Sequence, residues 1–91
     1  MRVSFYATLE PIVGQRKVEI PLPDGSRVGD LVDALVERWP GLREHLLDDE
    51  GQLSRRVNVF VEGRNARWLE GLETPLEPDQ TIDVFPPVAG G

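Results

Sequence analysis

A chain of 91 residues can bury one core and hardly two, and its 40% hydrophobic and 29% charged residues strike a globular balance. No apolar run approaches the length of a membrane span, and a formal charge of -6 has the wrong sign for nucleic-acid phosphates, so an electropositive protein is the partner its net charge suits. The absence of Cys removes disulfides, thiolate metal sites and cysteine nucleophiles together, while "MRVSFYATLE" lacks the apolar stretch and cleavage site of a secretory signal, which makes the cytoplasm the expected location.

From Arg2 to Leu9 the apolar residues Val3, Phe5, Ala7 and Leu9 recur with period two, which predicts a strand with one buried face. "EPIVGQ" reads as a turn, and "RKVEIPL" alternates again at Val18, Ile20 and Leu22, so the two runs form an antiparallel hairpin. After the turn residues "PDGS", the positions Val28, Leu31, Val32, Leu35 and Val36 have helical spacing, with Ser26 as the expected N-cap and Pro40 and Gly41 as the stop. "LREHLLDDEG" predicts a short helical turn and an acidic loop. Val57, Val59 and Val61 mark another strand, Glu62 and Gly63 a turn, and Arg64 to Leu69 a weaker strand. The last strand is "TIDVF", with Ile82 and Val84 on one face.

The order strand, strand, helix, strand, strand, strand predicts an α+β domain of β-grasp type. It has a mixed sheet of about five strands, one main helix on one face and a short second helix. The first and last strands must then be central, adjacent and parallel, joined by the long crossover that contains the helix. Residues 1–85 form this single domain and 86–91 an extended, flexible tail.

Alternation also identifies residues on the wrong face. Tyr6, Phe60 and Phe85 point away from the core, and on adjacent strands they form an apolar patch on the face the helix leaves bare, the mark of a partner surface. Pro86 and Pro87 fix φ and cannot donate to a sheet ladder, so the strand ends there and the chain leaves stiff. The six residues Pro86, Pro87, Val88, Ala89, Gly90 and Gly91 reach on the order of 20 Å. Gly90 and Gly91, without Cβ atoms, can pass a narrow channel and leave the α-carboxylate as the one chemical group presented.

"VNVFVEG", "GLETPL" and above all "VFPPVAGG" resemble the ubiquitin-like sulfur carriers of the MoaD/ThiS family, along essentially the whole chain. The resemblance implies that a ubiquitin-activating-like adenylating and sulfurtransferase enzyme uses ATP to adenylate the Gly91 carboxylate, after which sulfur displaces AMP to leave a thiocarboxylate. No cofactor is implied for this chain itself. Gly90 would keep the channel narrow, and Tyr6, Phe60 and Phe85 would be the docking face from which Pro86 to Ala89 lead into the partner. The sulfur would then pass to a synthase of cysteine-synthesis type or to the large subunit of molybdopterin synthase. The length of the segment from Leu46 to Leu76 leans towards the first.

Other classes have less support. His45, the single histidine, has no Ser or Cys partner in a recognisable motif, Asp48, Asp49 and Glu50 lack the alternating spacing of a calcium loop, and no Gly-rich phosphate cradle or other metal site is present. Conjugation of Gly91 to a lysine amine shares every sequence feature with sulfur transfer. A pure interaction module leaves the exposed terminus without a use. Nine of the ten basic residues are Arg, so Lys17 is the one lysine.

Overall fold

The computed structural model describes residues 1–87. Strand β1 (Arg2–Phe5) pairs antiparallel with β2 (Lys17–Glu19) and parallel with β5 (Thr81–Phe85), and β5 pairs antiparallel with β3 (Asn58–Val61), which carries the two-residue edge strand β4 (Arg64–Asn65). The sheet order is β2-β1-β5-β3-β4. The first and last strands are therefore central and parallel, and the fold is a ubiquitin-like β-grasp with a mixed five-stranded sheet.

Helix α2 (Val28–Arg38) supplies the crossover, with short helices α1 (Glu10–Val13) and α3 (Arg43–Leu46) on either side of it in the chain. Its buried stripe Val28, Leu31, Val32 and Leu35 joins Val3, Phe5, Ile82 and Val84 in one core cluster. Each of these side chains is at most 2% exposed, so burial contributes roughly 1.5–3 kcal/mol for each large one. The Phe5 ring meets Trp39 edge-on at 6.4 Å and closes the core where α2 ends.

Four sequence expectations are corrected. The strand predicted to Leu9 ends at Phe5, because Ala7 has φ 52 and turns the chain into a 3-10 turn. Leu9 reaches the core from that turn and mimics strand alternation, whereas Ala7 is exposed. "EPIVGQ" contains α1, closed by Gly14 at φ 91, where a Cβ would be strained. The N-cap of α2 is Arg27, whose backbone N–H donates to Asp30 Oδ2 at 2.9 Å; Ser26 is instead buried with its hydroxyl donating to the Pro23 carbonyl at 2.6 Å. The weaker strand from Arg64 stops at Asn65, whose side chain accepts from the Arg67 N–H and starts a 3-10 turn over Ala66–Trp68.

Candidate functional site

The parallel register sets Phe5 beside Val84, and the antiparallel register sets Asn58 beside Phe85 and Phe60 beside Asp83. Since Val84, Val59 and Val61 face the core, Tyr6, Phe85 and Phe60 are forced together on the other face. The Tyr6 and Phe85 rings stack 4.2 Å apart with 7° between their planes, and Phe60 meets Phe85 edge-on at 5.6 Å. Such pairs contribute about 0.5–1.5 kcal/mol beyond area burial. All three are half-buried, so this cluster is a preformed surface and not a set of loose side chains.

Polar groups fix its geometry. The Tyr6 hydroxyl donates to Asp83 Oδ1 at 2.9 Å, across 77 residues of sequence, and the Arg16 guanidinium lies 5.3 Å from the centre of the Tyr6 ring. Donation to Asp83, then partial burial and the Asp83 charge, raise the phenol above its usual 10.0. At the other side of the cluster the Asn65 amide donates to Asn58 Oδ1 at 3.0 Å. Ordinary strand alternation revealed the three aromatics, but Asp83 and Asn65 carry no sequence signal, because their roles depend on register.

Phe85 connects this surface to the tail. Pro86 is half-buried and Pro87 exposed, and β5 ends before them, as a missing donor requires. Val88, Ala89, Gly90 and Gly91 lie outside the described residues. At the tail root an open hollow of ≈ 430 Å³ is lined by Thr8, Glu44, His45, Ser54, Arg56, Pro86 and Pro87.

His45 Nε2 is 3.8 Å from Glu44, beyond hydrogen-bond range, and Ser54 Oγ accepts from the Arg56 backbone N–H at 3.1 Å. A larger depression of ≈ 600 Å³ at the start of α2 is lined by none of the predicted site residues. Among the described residues no cluster of three or more His, Cys, Asp or Glu side chains is placed to hold a metal ion, and no helix is long and apolar enough to cross a membrane.

Sequence reasoning missed one exposed feature. Trp68 is 77% exposed and Leu69 38%, on the turn that takes the place of the expected strand. An exposed Trp beside arginines was the available signal.

Comparison with known proteins agrees with this architecture. The chain is 36% identical to small archaeal modifier protein 3 of Haloferax volcanii, over 100% of this chain and 98% of that protein. It is 31% identical to the sulfur carrier protein CysO of Mycobacterium tuberculosis, over 98% and 96% of the two chains. Among solved structures, a chain of the Amycolatopsis orientalis BexX/CysO complex superposes with a TM-score of 0.84 at 31% identity, covering 99% of this chain and 98% of that one. The model of the ThiS family matches residues 3–91. With the family model matching residues 3–91 and full-length relatives and β-grasp topology in agreement, the chain belongs to the ThiS/MoaD family of ubiquitin-like sulfur carriers and modifiers.

Proposed function

We propose that the protein is a sulfur carrier and not itself an enzyme. An ATP-dependent, ubiquitin-activating-like enzyme adenylates the Gly91 carboxylate with release of pyrophosphate, and hydrosulfide then attacks the acyl carbon. The C–S bond forms as the acyl–phosphate C–O bond breaks, AMP leaves with the bonding pair, and Gly91 becomes a thiocarboxylate. That group donates sulfur to a biosynthetic synthase in the cytoplasm. The observation that carries the reading is the continuity of the Tyr6–Phe85–Phe60 stack with the strand-ending Pro86-Pro87. A rigid apolar face placed at the root of a tail can bind a partner while the tail enters its cleft. Support for sulfur comes from the 31% identical CysO relative, and cysteine synthesis is the favoured destination over molybdopterin.

Conjugation through Gly91 to lysine amines is the second reading, favoured by the 36% identity to a small archaeal modifier protein. Both use the same acyl adenylate and differ in the nucleophile. Intact-mass analysis of protein purified without thiol scavengers separates them: a carrier shows one oxygen replaced by sulfur, whereas a modifier shows covalent adducts with other proteins and no sulfur. Unchanged mass after incubation with the activating enzyme, ATP and a sulfide donor would contradict the carrier reading.

A further inference from the structure

The net charge of -6 conceals a local reversal. Between Arg55 and Trp68 there are four arginines against the single Glu62. Three of them lie around Ser54, which lines both the hollow at the tail root and a second hollow that Arg55 and Arg67 share with Glu70 and Glu73. Arg56 lines the hollow with Pro86 and Pro87, and Arg67 donates from one guanidinium nitrogen to the carbonyls of Arg55 and of Val57, the latter at 3.0 Å, so it is tied to the segment that leads into β3. The same guanidinium lies 5.9 Å from the centre of the exposed Trp68 ring. Arg55 and Arg56 are exposed, and neither forms an ion pair among the described residues. Glu44 is the one carboxylate in the hollow at the tail root.

Arg67 has a folding role in its two bonds to these carbonyls, whereas the Arg55 and Arg56 guanidinium groups make no side-chain hydrogen bond or ion pair among the described residues. The Arg56 N–H donates to Ser54 Oγ and the Arg55 carbonyl accepts from Arg67, so it is the backbone of these two residues that is held and their charges that are left over. We propose that Arg55, Arg56 and Arg67, with Trp68 beside them, form a basic collar at the tail root that docks against an acidic protein surface around the cleft of the activating enzyme. This rests on the carrier reading above and adds a second contact to the aromatic face. At this contact it departs from the expectation drawn from net charge, that an electropositive protein is the partner the chain suits.

The collar faces protein and not the phosphates of ATP, for a reason of length. Gly91 is four residues beyond Pro87 in sequence, a reach of up to about 14 Å, and the adenylate forms at the far end. An arginine at the root cannot span that gap while the tail lies extended in a cleft. An RNA partner is disfavoured because the remainder of the chain is strongly acidic and repels it. Rim charges of this kind act mainly on association rate and on salt sensitivity.

The test is ATP–pyrophosphate exchange by the adenylating enzyme of the same organism, with the full chain as substrate. The double reversal Arg55→Glu and Arg56→Glu should raise KM for the carrier roughly tenfold with kcat unchanged. Raising salt from about 50 to about 300 mM should raise the wild-type KM and leave that of the variant nearly flat. The control Arg2→Glu with Arg38→Glu makes the same change in net charge elsewhere, and should stay close to wild type. A melting curve for each variant checks folding, and Arg55→Gln with Arg56→Gln, which removes charge without reversing it, should give an intermediate KM. An unchanged KM for the Arg55/Arg56 reversal, while wild type exchanges normally, overturns the collar and leaves the carrier reading standing. Equal losses in the control overturn it as well, since the effect is then net charge alone. Binding of a short single-stranded RNA, abolished by the same reversal, would reassign the patch and overturn the proposal. Absence of exchange with wild type overturns both the carrier reading and the collar that rests on it.

Discussion

At the residue scale, Tyr6 is the chain's single tyrosine, so its ionisation can be followed by ultraviolet absorbance with no other phenol contributing. Its hydroxyl donates to Asp83, which raises its pKa above 10.0, and the hydrogen bond therefore stabilises the folded protein below that pH. As pH rises through the raised folded pKa, this contribution is lost. A tyrosinate titration should have a midpoint above 10.0 in wild type and nearer that value in Asp83→Ala; coincident midpoints would show that the pair has no energetic link. On the same face, Phe60→Asp or Phe85→Asp should weaken binding to the activating enzyme by 1 kcal/mol or more, about fivefold or greater, since a charge would have to be desolvated in an apolar contact. Both rings are half-buried outside the core, so circular dichroism and thermal melting should show folded variants. Unfolding would place them in the core. Alternation alone located these aromatics, because a period of two has no second solution once Val59 and Val84 face inward.

At the scale of elements, the central strands and α2 were legible because their apolar periodicity spans several residues and burial enforces it. Their ends were not, since single backbone torsions decide them. Ala7 at φ 52 stops β1, and the Asn65 side chain, by accepting from Arg67, diverts the chain after two residues of β4. The β3–β4 turn has the same character: Glu62 at φ 51 and Gly63 at φ 81 both occupy the left-handed region that such a hairpin turn requires. Glycine suits this position without the Cβ penalty, so Glu62→Gly should stabilise the domain by about 0.5–1 kcal/mol, read as a higher urea midpoint with unchanged slope. A lower midpoint would show that the Glu62 side chain makes a contact worth more than the backbone relief. In the helix, Leu35 is 1% exposed within the core, and Leu35→Ala should cost about 2–5 kcal/mol. A cost below 1 kcal/mol in the same urea experiment would mean that α2 packs loosely on the sheet.

At the scale of the whole molecule, the fold gathers onto one end of the sheet an aromatic face, a basic collar and the root of the tail. The first was visible in the sequence and the second was not, because net charge averages over the surface, whereas the collar depends on Arg67 folding back onto Arg55 and Val57. The chemistry is assigned to Gly91, which contributes no side chain to any core, so stability and function should separate there. Deleting Gly91, or adding one bulky residue after it, displaces the carboxylate by about 3.5 Å, more than a near-attack geometry tolerates. The decisive measurement is ATP–pyrophosphate exchange with the cognate activating enzyme, beside a melting curve for each form. The truncated and extended proteins should melt as wild type does while exchange falls by at least about a hundredfold; normal exchange by the protein lacking Gly91 would remove the terminal carboxylate from the mechanism and contradict the carrier function.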